Sequence, residues 1–181
     1  MTTVLSRRSC DGSRRAKRVL RLSVLVAVLA ASVSTDAFAP PLQLRISQAN
    51  QSWDVAVGPA DILGGDGGDF ADEFESASDE KQLDVKNPVA NWRIDVSRSS
   101  ASWHTNIHLY IRRTSDGTGT GTISIGTTYQ EITTTNTSFF DGTGQRDNVD
   151  LQFKVGGAFA AAGVPAGSYV TTITYTVTDN L

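Results

Sequence analysis

Ser168-Tyr169-Val170-Thr171-Thr172-Ile173-Thr174-Tyr175-Thr176-Val177 decides the fold class. Tyr169, Thr171, Ile173, Tyr175 and Val177 fall on one side of an extended chain, with Thr172, Thr174 and Thr176 on the other. A period of two is the mark of a strand with one buried face, and β-branched residues suit the pleat. The same alternation recurs upstream in Leu42, Leu44 and Ile46; in Trp53, Val55 and Val57; in Leu83 and Val85; and in Trp92, Ile94 and Val96. Trp103, Thr105, Ile107, Leu109 and Ile111 form the longest run, followed by Ile123 and Ile125, then Val149, Leu151, Phe153 and Val155. Gly64 to Gly68, Asn87-Pro88, Asp116-Gly117, Asp141-Gly142 and Gly156-Gly157 supply turn chemistry between these runs.

No window of twelve residues carries a helical stripe. The acidic, serine-interrupted segment Asp69 to Lys81 is expected to be loop or one short helical turn. Many short strands without helices predict an all-β chain: an immunoglobulin-like antiparallel β-sandwich of about eight strands, with a closed barrel as the alternative. The length of 181 residues suits one core, and 39 % hydrophobic residues is too many for a disordered chain and too few for a multi-span membrane protein.

Charge divides the chain in two. Residues 1–39 hold seven basic side chains (Arg7, Arg8, Arg14, Arg15, Lys17, Arg18 and Arg21) against Asp11 and Asp36. The other 142 residues hold nine basic and 17 acidic groups, a net charge of −8 that argues against nucleic acid as a partner. After Arg21 the segment Leu22–Val33 carries no charge. At twelve residues it is shorter than the roughly 20 needed to cross a bilayer, so it reads as the apolar core of an export signal. Ala37-Phe38-Ala39 has the A-x-A form of a cleavage site, with Ala37 and Ala39 at its two small positions. Residues 1–39 are therefore expected to be a signal peptide, and residues 40–181 a single β-sandwich domain without a transmembrane span. Secretion or residence at the cell surface follows. Cys10 lies before the apolar core, so the processed chain would contain no cysteine, disulfide or thiolate chemistry.

Candidate chemistry is sparse. His104 and His108 are the only histidines, but four residues along a strand span roughly 13 Å, too far for two rings to share one ion easily. Both fall on a polar face with Asn106, Tyr110 and Arg112. A glycine-rich acidic loop at about 58–81 gathers Asp61, Asp66, Asp69 and Asp72, hard oxygen donors that make a candidate calcium site in an extracellular domain. No other cofactor is indicated. The sequence lacks a G-x-S-x-G elbow, an H-E-x-x-H pair and a P-loop, so a non-enzymatic role is expected. Trp53, Trp92 and Trp103 share parity with the aliphatic residues of their runs, which predicts core packing, with a sugar-stacking platform as the alternative.

The segment Tyr169 to Val177 is similar to the second motif of WxL-type cell-surface domains, and Trp53-Asp54-Val55 resembles their first. Tyr175 stands where that family has tryptophan. The resemblance implies a sandwich that binds peptidoglycan or other envelope polysaccharide without a covalent bond, with Trp53, Tyr169 and Tyr175 as its binding residues. Pro165-Ala166-Gly167-Ser168-Tyr169 and the strand after it also resemble the final strand of pilin and spore-coat-U-type subunits. That second likeness implies a filament subunit whose partners are other surface proteins, and a secreted carbohydrate-binding or carbohydrate-active protein is the remaining alternative. Six residues separate Ile46 from Trp53, short enough for a local turn, so the segment Leu42–Ile46 is expected to pair within its own chain and leave a monomer.

The intact mass of the exported protein should correspond to loss of roughly the first 34–39 residues, and a species still carrying Cys10 would show an uncleaved anchor instead.

Overall fold

A computed structural model of the chain describes residues 41–47, 51–61, 71, 73–88, 90–157 and 164–180, together with the backbone of 20–28. Alternating buried and exposed positions along most strands build two sheets around one apolar core. The first sheet runs in the order β3 (Trp53–Val57), β1 (Leu20–Val28), β13 (Ser168–Asn180), β6 (Asn91–Arg98), β11 (Thr137–Thr143), β9 (Ile123–Ser124). The second runs β10 (Gln130–Glu131), β7 (His108–Arg113), β12 (Arg146–Gly156), β5 (Lys81–Lys86), β2 (Gln43–Ile46), and β4 (Glu73–Glu75) and β8 (Thr118–Gly119) also pair with β12. The expected all-β sandwich is what forms. A single 3-10 turn at Pro59–Asp61 is the only helical element among the described residues. No helix among them is long and apolar enough to cross a membrane.

Leu83, Val85, Trp92, Ile94, Val96, Val149, Leu151, Phe153, Val155, Ile173 and Tyr175 are fully buried, as their parity predicts. Trp92 is the largest of them. Its ring meets Phe140 edge-on at 6.0 Å, and its Nε1 donates to the Gly144 carbonyl at 2.8 Å. A Cβ on Gly142 would lie 2.3 Å from that indole, so the strand β11 needs glycine where the ring crosses it.

The structure departs from the expected pattern at several places. Asp141-Gly142 lies inside β11 and is no turn; the register shift between Ser138 and Phe140 lets both Phe139 and Phe140 turn inward. The long run expected from Trp103 is a strand only from His108 onward. Residues 101–107 form turns, joined to β13 by a bridge between Ser102 and Val170. Trp103 is half-buried, its Nε1 donating to the Ile107 carbonyl at 2.6 Å and its ring facing the Arg98 guanidinium at 5.4 Å. Ile125 takes a left-handed backbone (φ 53°) and is 56 % exposed, which removes it from the alternation. The acidic segment expected as loop or helical turn contributes strand β4. Short strands of two or three residues bring the number of described strands beyond residue 40 to twelve, more than the eight expected there.

Two pairings bear on the chain's ends. β2 pairs antiparallel with β5 of the same chain, from Gln43 opposite Lys86 to Ile46 opposite Leu83. β1, which spans part of the expected signal core, lies parallel to β13 and antiparallel to β3.

Replacing Trp92 with alanine removes a fully buried ring and its hydrogen bond, and should cost about 3–5 kcal/mol in denaturant unfolding. A loss below about 1 kcal/mol would place the ring outside the core.

Candidate functional site

The outer face of the second sheet gathers a dense set of polar and aromatic side chains. Outward positions of β7 are His108, Tyr110 and Arg112, and those of β12 are Asp150, Gln152 and Lys154, because their neighbours Leu109, Ile111, Leu151 and Phe153 face the core. Register sets Lys154 opposite Tyr110 on one side and Glu75 of β4 on the other, while Glu131 of β10 lies opposite Tyr110. Gln152 lies opposite Arg112.

Tyr129 joins this face from the connection before β10. That connection is held by Arg113, an inward-facing cation on β7. Its guanidinium donates to the Ile125 carbonyl at 2.5 Å and pairs with Asp116, and its backbone N–H donates to the Gly126 carbonyl at 2.7 Å. The chain then passes over the sheet and delivers the Tyr129 ring onto two cations. Arg112 lies 4.6 Å and Lys154 4.8 Å from the ring centroid, and Lys154 also lies 5.1 Å from the Tyr110 ring. One ammonium therefore serves two aromatic faces.

Each cation is also hydrogen-bonded. Arg112 donates twice to the Gln152 side-chain oxygen, at 2.9 and 2.7 Å, and the Gln152 amide donates in turn to the Ser76 carbonyl at 2.8 Å. Lys154 donates to Glu73 at 2.7 Å. His108 and Glu131 meet at 2.7 Å beside Tyr110. Four carboxylates (Glu73, Glu75, Glu131 and Asp150) and two cations (Arg112 and Lys154) leave this face mixed in sign. Burial raises the Tyr129 phenol to about 12; the adjacent Glu75 carboxylate pushes the same way and Arg112 opposes it.

The residues singled out from sequence lie elsewhere. Tyr175 is fully buried between the sheets, where it cannot touch a ligand at the surface; desolvation drives its phenol far upward. Trp53 is half-buried and stacks on Phe153 at 6.0 Å. Tyr169 donates its hydroxyl to the Pro165 carbonyl at 2.8 Å and meets His104 edge-on at 5.7 Å. Trp53 and Tyr169 lie on the two strands that flank β1, apart from the outer face of the second sheet. Asp61 accepts from the Gly58 N–H at 2.8 Å and so caps its own 3-10 turn. Asp66, Asp69 and Asp72, the rest of the candidate calcium set, lie outside the described residues, as do Ala37 and Ala39 of the expected cleavage site. Among the described residues no three His, Cys, Asp or Glu side chains converge as a metal site.

His108, Tyr110 and Arg112 were legible as a polar strand face, but Tyr129 and Glu75 were not. Tyr129 lies in a threonine-rich stretch without alternation, and Glu75 in a segment read as loop. No family profile matches the chain, and no curated protein is similar to it.

The raised Tyr129 pKa carries a sign. The unfolded phenol loses its proton near 10 and the folded one only near 12, so stability is intact below about pH 10 and falls as pH rises toward 12. Phenolate absorbance should show a component near pH 12 that Tyr129→Phe removes, and its alkaline loss of stability should be shallower. Titration of Tyr129 near pH 10 would contradict this.

Proposed function

We propose that the chain is an exported, non-enzymatic cell-surface domain that binds envelope polysaccharide through the outer face of the second sheet. The observation that carries the reading is the Tyr110–Lys154–Tyr129–Arg112 stack, three members on strands β7 and β12 and Tyr129 on the connection before β10, flanked by Gln152, Glu73, Glu75 and the His108–Glu131 pair. Aromatic rings offer flat apolar surface to the C–H faces of sugar rings, and a fringe of amide, carboxylate and cationic groups offers donors and acceptors to hydroxyls. A face of mixed sign suits a polyhydroxylated chain better than a polyanion such as nucleic acid, in keeping with the net charge of −8 beyond residue 39. The basic N-terminal stretch and the uncharged segment after it support export, and the resemblance of Tyr169 to Val177 to WxL-type domains supports a place at the cell wall.

A filament subunit is the alternative. It draws support from β1, a strand made by a segment that export would remove.

The purified exported protein should sediment with insoluble cell-wall polysaccharide. Tyr110→Ala and Tyr129→Ala should each weaken that retention by roughly tenfold while leaving the melting temperature within a few degrees. Absence of retention, or equal retention of both variants, would overturn the reading.

A further inference from the structure

Leu20-Arg21-Leu22-Ser23-Val24-Leu25-Val26-Ala27-Val28 has an aliphatic residue at every even position. As β1 it fills a place that no other described strand fills. On one side it lies antiparallel to β3, with Leu20 opposite Val57, Leu22 opposite Val55 and Val24 opposite Trp53. On the other it lies parallel to β13, with Leu22 opposite Tyr169, Val24 opposite Thr171, Val26 opposite Ile173 and Val28 opposite Tyr175. The even positions thus fall opposite the core-facing positions of both neighbours.

Removal of β1 would leave two backbone edges with no ladder. β3 has no other sheet partner among the described strands, and β6 pairs with β13 only from Ile173 onward. Val55 and Val57 of β3 and Thr171, Ile173 and Tyr175 of β13 line the two sides of that gap, all buried while β1 is in place. Two unpaired backbone rows on strands that turn buried side chains to the core form a receptor for an added strand. The chain's next aliphatic segment, Leu42–Ile46, does not compete for it. Its core strand Gln43–Ile46 is held by β5 in the opposite sheet, and the same holds in any second copy.

We propose that, once the signal is removed, the slot between β3 and β13 takes an extended segment of a separate polypeptide. That segment carries aliphatic residues at alternate positions and enters parallel to β13. The proposal rests on the export reading, because only processing vacates the slot.

The test begins with the protein recovered outside the producing cell. Its mass separates the two readings: exported protein that retains Leu20–Val28 would overturn the vacated slot and leave export standing, whereas protein found only inside the cell would overturn export itself. The processed form is then denatured and refolded with a synthetic peptide of Leu20–Val28 bearing a lysine tail for solubility. Native mass spectrometry should show a one-to-one complex, and the melting temperature should rise by several degrees. A peptide of the same composition with its aliphatic residues clustered, and one carrying Val26→Arg, should give neither. A processed form whose melting is unchanged by the peptide, with no complex, would overturn the proposal. Linear oligomers formed without peptide would overturn the separate partner in favour of a strand from a second copy.

Discussion

The indole of Trp92 lies so close to the Cα of Gly142 that no side chain fits between them. Much of the first sheet depends on that contact. Trp92 is on β6, which pairs with β13 on one side and β11 on the other, so the ring locks the middle of the sheet. Its hydrogen bond to the Gly144 carbonyl ties β6 to the turn that leads into β12 of the second sheet. No disulfide can form within a sequence holding one cysteine, so such packing, multiplied over the core, is what holds the sandwich.

β12 plays the matching part in the second sheet. It is long enough to pair with β5 and β8 along its first half and with β7 and β4 along its second. Its inward residues build the core and its outward residues Gln152 and Lys154 organise the aromatic–cationic face. Core and candidate site are thus two faces of one strand. Ser76 strengthens the link: its hydroxyl accepts from the Phe153 N–H and its carbonyl accepts from the Gln152 amide.

Strands with one buried face were legible because burial imposes a period of two. The aliphatic and aromatic residues of β5, β6 and β13, and of β12 from Val149 onward, follow that rule, and Lys81, whose position on β5 faces inward, is buried with it. β11 escaped because its register shift sets Phe139 and Phe140 inward together and because Asp141-Gly142 has the composition of a turn. The candidate site was half legible. Side chains on β7 could be assigned to a face by parity, but Tyr129 arrives through a connection fixed by Arg113 and two left-handed residues, Ile125 and Gly126. Contacts of that kind depend on tertiary structure and leave no periodic trace.

β13 lies inside the first sheet, with β1 and β6 on its two sides, yet in chain order it comes after every other described strand. Strands made early therefore wait for β13 before their sheet can close. Pairings this distant in sequence make folding slow, since loop-closure entropy must be met before the contacts repay it. A chain emerging from the ribosome would keep the first sheet open until β13 appears, the pair β3–β1 and the trio β6–β11–β9 sharing no edge that could seal them before then.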